Sequence, residues 1–391
     1  MPAPLDVDLV YLDHAASTPM RPEAIAAMMP FLADNPGNPS GAHRAARATK
    51  TALEEAREEV ASVCGCRPYE VVFTGAGSES DNLAVKGAAR AARANDPALD
   101  GIVTSGIEHK AVLGACDRLE REGFRVVRVP ARDDGVVDVD ALTGAVDERT
   151  ALVSLMLVNN ETGVRQPVAE IARIVRDRAP RAVVHTDAIQ APQWLDVAVD
   201  TADIPLIAIS GHKFGGPKGV GALIVREGTA LVPLVEGGGH ERGLRAGTQN
   251  VAGIVAFATA LRITHERRAS ESARIGAWRD DLERGLAAHV PGFRVNGASG
   301  LRVAGILHCT FDDVEAETLL VALDQQGIMA ASGSACSSGA VDPSHVLLAM
   351  GMPRDRALSS VRFSLGYAST RADVDTALAV VPEVVAKLRA A

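Results

Sequence analysis

The chain has 391 residues, of which 47% are hydrophobic and 23% charged, enough to bury one large core and a smaller one beside it. A formal charge of −9 argues against direct binding to nucleic acid or to an anionic membrane. Five cysteines without framework spacing argue against a disulfide scaffold in a chain this large.

Residues 1–13 show no secretory n-region or h-region. The longest apolar helical run, 251–263, is too short to cross a bilayer, so a cytoplasmic protein without a membrane partner is expected. Residues 9–13 read as a short strand and 14–19 as a loop, and 35–40 are dense in turn residues. A helix then buries Leu53, Ala56, Val60 and Val63 on one face and stops at Gly65. Cys64 and Cys66 flank that glycine with no second Cys/His pair at matching spacing, so they read as packing residues and no metal is expected. From Val71 the pattern becomes βα. Strands are predicted at 71–73, 102–104, 125–129, 151–158, 182–186 and 204–209. They are continuous β-branched runs separated by helical stretches, which implies an α/β fold with a mostly parallel sheet covered on both faces. A long helix is predicted from about 250 to 290, ending at Pro291. Beyond it, short strands at 302–311, 327–330 and 361–365 alternate with helices at 315–325, 343–350 and 372–389. Asp342 and Pro343 look like an N-cap and first-turn proline. The division expected is a large domain over 15–255 and a small α+β domain from 1–14 plus 256–391.

Polar clusters fall at several predicted strand ends, where open α/β sheets bind ligands. After 71–73 comes Gly75-Ala76-Gly77-Ser78 opening a helix, a turn whose backbone N–H groups and Ser78 hydroxyl suit a phosphate. It lacks the Lys-Ser/Thr of a P-loop. After 102–104 comes His109, either a capping histidine or a ring stacker. After 151–158 come Asn159 and Asn160. After 182–186 come Asp187 and Gln190; an aspartate ending so apolar a strand needs a cationic partner, which a pyridinium nitrogen would supply. After 204–209 comes Ser210-Gly211-His212-Lys213, a lysine whose desolvation lowers its pKa toward that of a Schiff-base nucleophile. Each signal is ambiguous alone, and together they describe a pyridoxal 5′-phosphate site. Cys336 lies in a stretch of small residues, about 329–341, that reads as a mobile loop. Its thiol has no adjacent cation to activate it, so activation is expected only when the loop docks. Arg362, flanked by apolar residues, wants a carboxylate of the kind an amino-acid substrate brings.

With these residues assembled, the chain resembles the cysteine desulfurases of the class V aminotransferase family. The matching motifs, in the family's order, are Tyr11-Leu12-Asp13, Gly37-Asn38-Pro39-Ser40, Glu79-Ser80-Asp81-Asn82, Glu108-His109-Lys110, Asn159-Asn160-Glu161, Ser210-Gly211-His212-Lys213, Gly237 to Arg242, Ser332 to Cys336, and Arg362 to Gly366. The serine-rich cysteine stretch is similar to the NifS/IscS-like subgroup that feeds iron–sulfur assembly and tRNA thiolation. The resemblance implies a fold type I enzyme dependent on pyridoxal phosphate that removes sulfur from L-cysteine, leaving alanine and a persulfide on Cys336. Lys213 would hold the cofactor and move the Cα proton, with His109 stacked on the ring and Asp187 on its nitrogen. Gln190 and Asn160 would meet the ring oxygen and substrate, and Gly77, Ser78, Ser210 and His212 the phosphate. Thr248 would reach the phosphate of a second subunit in a homodimer, while Arg362 and Asn38 would grip the substrate carboxylate. A sulfur-acceptor protein is the implied partner. The sequence departs from the family at His14, where Asn or Tyr is usual, and at Ser78, which replaces Thr but keeps the hydroxyl. The chain stops soon after the last helix, so scaffold docking through a longer tail is not expected. Transamination or selenocysteine lysis on the same cofactor is the alternative reaction, and a non-catalytic sulfur-relay subunit is the alternative class.

Overall fold

The computed structural model describes residues 9–297, 300–332 and 342–390. Cys336 and most of the predicted cysteine loop lie outside them.

Alternation along the strands builds two buried layers from one sheet, because successive side chains point to opposite faces. Val71 and Phe73 of β2 (Val71–Thr74), and Ile207 and Ile209 of β7 (Leu206–Ser210), join one core. Val72, Leu206 and Ala208 join the core on the other face. The remaining strands are β3 (Gly101–Ser105), β4 (Arg125–Val129), β5 (Thr150–Ser154), β6 (Val183–Asp187) and β8 (Gly221–Val225). The seven-stranded order is β2-β8-β7-β6-β5-β3-β4. β8 pairs antiparallel with β2 and β7, and the other pairings are parallel. Six of these strands therefore deliver their C-terminal ends to one edge, where Thr74, Ser105, Ser154, Asp187 and Ser210 lie.

The predicted strands recur with small shifts. The predicted 151–158 run is a strand only as far as Ser154, although Leu155 and Leu157 still donate to the His185 and Asp187 carbonyls of β6. A second core gathers around a three-stranded sheet of β9 (Phe293–Val295), β10 (Ile306–Phe311) and β12 (Ser360–Ser364). β1 (Val10–Tyr11) leaves the chain's start to pair with β11 (Ile328–Met329) beside it. One 39-residue helix, Val251–His289, serves both cores: Ile254 and Phe257 pack on the large one, Leu282 and Leu286 on the small one. The expected cap at Asp342 is corrected. The short helix there is His345–Ala349, and its N-cap is Ser344, whose hydroxyl accepts from the amides of Val346 and Leu347. Asp342 and Pro343 precede the helix because Ser344 already satisfies those first-turn donors.

Candidate active site

The helix Gly77–Asn95 starts against the strand edge because residue 77 has no side chain. A Cβ there would lie 2.3 Å from Ile189 Cδ1 and 3.0 Å from Ser210 Cβ. The helix start, Ser78, Ser210 and His212 all border one cavity of about 590 Å³. His109, Asn160, Asp187, Gln190, Lys213 and Arg362 border it too, with Asp13 from the N-terminal segment and Ala331 and Ser332 from the small sheet's side.

Lys213 sits in the single 3₁₀ turn Gly211–Lys213 that follows β7, and Ser210 pairs with Gly221 across the hairpin. Its Nζ donates to the carbonyls of Ala15 at 2.7 Å and Ala16 at 2.9 Å. Burial lowers its pKa to about 8, with Arg362 adding to the fall and Asp187 and Asp13 opposing it. Asp187 ends β6, accepts from the Ile189 amide at 2.9 Å, and is pushed up by burial, with His109 and Lys213 opposing. The capping reading of His109 holds, and the same residue borders the cavity. It caps the helix Lys110–Arg121, its Nδ1 accepting from the Ala111 amide at 3.2 Å, and its ring is exposed to the cavity. Surrounding protein lowers its pKa, Asp187 pulls it back up, and Lys213 adds to the fall. Burial and the neighbouring Lys213 and Lys218 bring His212 down to about 4, a neutral imidazole.

Gln190 is buried and donates to the Ala15 carbonyl at 2.8 Å. Arg362, on β12, donates to Asp13 Oδ1 at 2.7 Å and to the Asn160 carbonyl at 2.8 Å. The carboxylate that Arg362 calls for is thus present within the chain, 349 residues away in sequence. Two expected site residues do not border the cavity of their own chain. Asn38 is exposed and its side chain closes a turn onto the Ser40 amide, and exposed Thr248 borders a separate small cavity with Thr74 and Arg245. His14, the departure from the family pattern, is a core residue: its ring meets Tyr11 edge-on at 5.0 Å, and burial lowers its pKa to about 4. Cys64, Cys116 and Cys309 are buried thiols with raised pKa values.

Sequence reading gave no role to Asp13, which carries the ion pair to Arg362, or to the Ala15 and Ala16 carbonyls that hold Lys213. Only the strand-ending position of Asp13 signals the first, and a main-chain acceptor leaves no signal at all. It also assigned no role to Asp81, Glu108, Glu161 or His185, which are all buried around the site. Glu161 accepts from the Ser344 hydroxyl and Glu108 from the Ser105 hydroxyl at 2.6 Å.

The donor set fits pyridoxal phosphate. It offers an acid for a ring nitrogen, a helix start ringed by hydroxyls for a phosphate, and a low-pKa amine for an aldehyde. Fold and site together define an enzyme of the type that carries this cofactor on a lysine. The chain belongs to the class-V aminotransferase family, whose sequence profile matches residues 10–377. It is 44% identical over 387 residues to an IscS-like cysteine desulfurase of Mycobacterium tuberculosis, covering 98% of each chain. It is 40% identical over 382 residues to the cysteine desulfurase IscS of Clostridium botulinum, covering 97% of this chain and 95% of that one. A solved NifS-like protein superposes with a TM-score of 0.90 at 35% identity, over 97% of this chain and 100% of the other. The cofactor is therefore pyridoxal phosphate, and the fold is that of the NifS-like enzymes.

Proposed function

We propose that the chain is a cysteine desulfurase that takes sulfur from L-cysteine, releases L-alanine and carries the sulfur as a persulfide on Cys336. The observation that carries the reading is the convergence of Lys213, Asp187 and Arg362 on one cavity, in a chain alignable end to end with cysteine desulfurases.

When bound, pyridoxal phosphate supplies an aldehyde that captures the substrate amine and a ring that takes up the electron pair left at Cα. Asp187 keeps a proton on the ring nitrogen. Ser78, Ser210, neutral His212 and the amides beginning at Gly77 hold the phosphate. His109, its Nδ1 occupied by the Ala111 amide, keeps its proton on Nε2 toward the cavity and covers the ring. Gln190 and Asn160 meet the ring oxygen and the substrate. Arg362 and Asn38 take the substrate carboxylate. Lys213 removes the Cα proton with an amine already near its working pKa. The Cys336 thiolate then attacks the substrate sulfur. An S–S bond forms and the substrate C–S bond breaks; Cβ takes up the proton the Cys336 thiol gave up and Lys213 returns its proton to Cα, so cysteine plus thiol gives alanine plus persulfide.

The reading extends to a homodimer. Thr248 is exposed and does not border its own chain's cavity, and Ile25, Met29 and Leu32 form an exposed apolar stripe on the helix Pro22–Ala33. Thr248 of the partner subunit would complete the phosphate site. The separate core around the small sheet supports a large and a small domain, proposed as 15–255 and 1–14 plus 256–391, although Phe257, Leu261 and Ile306 still pack in the large one. Cytoplasmic location is supported by the four free cysteines among the described residues. The acceptor is a scaffold or thiolation protein, in iron–sulfur assembly or a thiolation route. To test the central claim, the purified protein is given L-cysteine, alanine is assayed, and the persulfide is mapped by mass spectrometry. Cys336→Ala should abolish alanine release yet keep the cofactor's visible absorption. Alanine formed without an adduct on Cys336 contradicts the proposal.

A further inference from the structure

Behind the ring-nitrogen acid lies a buried polar pair that the reaction scheme does not use. Asp81, from the first turns of the helix Gly77–Asn95, and His185, on β6 two residues before Asp187, are both fully buried. Asp81 Oδ1 lies 3.6 Å from His185 Nε2. Neither Asp81 oxygen nor His185 Nε2 has a hydrogen-bond partner among the described residues. On its other side the imidazole is fixed, with Nδ1 2.9 Å from Ser154 Oγ. Toward the cavity, Asp81, Asp187 and His109 bring one polar atom each within 4.8 Å of one another.

Two bare carboxylates so close in a dry site repel each other, and a buried imidazolium is equally costly. One arrangement of protons removes both penalties. His185 stays neutral with its proton on Nδ1 toward Ser154, which leaves the Nε2 lone pair to accept from a protonated Asp81. Burial and the neighbouring Asp187 and Glu108 push Asp81 upward, while burial brings His185 down to about 3, as this arrangement requires.

We propose that Asp81 is a positioning residue for Asp187: a neutral carboxyl group held against His185, which makes Asp187 the one negative charge beneath the cofactor ring. The groups facing Asp81 are Asp187, Glu108, His109 and His185. The inference rests on the cofactor reading above.

The test compares Asp81→Asn and Asp81→Leu in the full chain. Three readouts apply: pH titration of the cofactor's visible band, the cofactor dissociation constant, and thermal unfolding of the cofactor-free protein. Asn keeps a neutral donor to His185, so the band's pKa and cofactor affinity should stay near wild type. Leu removes the donor, so affinity should fall roughly tenfold, the order found when the outer partner of a liganding group is lost. Its cofactor-free unfolding midpoint should fall, because His185 Nε2 is left buried without a donor among the described residues, while Asn should spare it. A shift of one unit or more in the Asn variant would show that Asp81 is ionised and overturn the inference. So would a Leu variant with wild-type affinity and titration. A wild-type chain with no visible band would instead refute the cofactor reading, and the inference with it.

Discussion

Replacing Arg362 with lysine tests its proposed grip on the substrate carboxylate. Arg362 is only 5% exposed. Nη2 is committed to Asp13 at 2.7 Å and Nη1 to the Asn160 carbonyl at 2.8 Å, while Nε has no partner among the described residues. The lysine keeps a positive charge beside Asp13 and loses the planar fork. A hydrogen bond to a charged group is worth about 1.5–3 kcal/mol, and each 1.4 kcal/mol is tenfold in an equilibrium. KM for L-cysteine should therefore rise roughly ten- to hundredfold. Because the carboxylate is held before and during the chemistry, kcat should fall less than KM rises. The assay is alanine release against cysteine concentration, with cysteamine binding as the comparison, since cysteamine lacks the carboxylate. Its affinity should be the same in both proteins. An unchanged KM for cysteine would refute the assignment, and an equal loss for both compounds would point to a collapsed site.

Gly77→Ala should weaken cofactor binding about tenfold, because its Cβ would meet Ile189 Cδ1 at 2.3 Å and displace the helix start; equilibrium dialysis with pyridoxal phosphate checks this. Capture of the cofactor by cofactor-free protein should accelerate with pH around a midpoint near 8, not near the 10.5 of an ordinary lysine, because only the neutral Lys213 amine reacts; stopped-flow absorbance reads it. Glu241→Gln should cost about 3 kcal/mol in urea unfolding, because it breaks a buried bidentate pair with Arg57 at 2.7 and 3.0 Å. Burial alone would raise the Glu241 pKa, but the Arg57 pair brings it below the unfolded value. That stabilisation is therefore present above the unfolded carboxylate pKa and lost as pH falls through the folded one, and the variant should lose this acid dependence.

Short-range physics made much of this legible. Continuous β-branched runs ending in polar residues located the sheet edge, and Lys213, Asp187, Ser78 and His109 follow from it. The pairings that cross the chain were not legible. Arg362 called for a carboxylate, but nothing in its neighbourhood names Asp13. Asp81 and His185 face each other only because a helix lies across β6. The cap at 344 went to serine over aspartate because the choice depends on where Glu161 holds the chain. Asn38 and Thr248 carry the family motif yet do not border the cavity of their own chain, which a motif match alone does not reveal.

The helix Val251–His289 is about 58 Å long at 1.5 Å per residue. Near its start Phe257 meets Phe214, the residue after Lys213, with ring centroids 5.3 Å apart. Further along, Arg274 holds the carbonyls of Tyr367 and Ser369, on the stretch that leaves Arg362. One helix thus touches both the turn that carries Lys213 and the stretch that follows Arg362, and under the proposed roles it gauges the spacing between amine and guanidinium. A helix-breaking residue at mid-helix, far from either group, should blur that spacing and slow turnover without touching a single atom of the cavity wall.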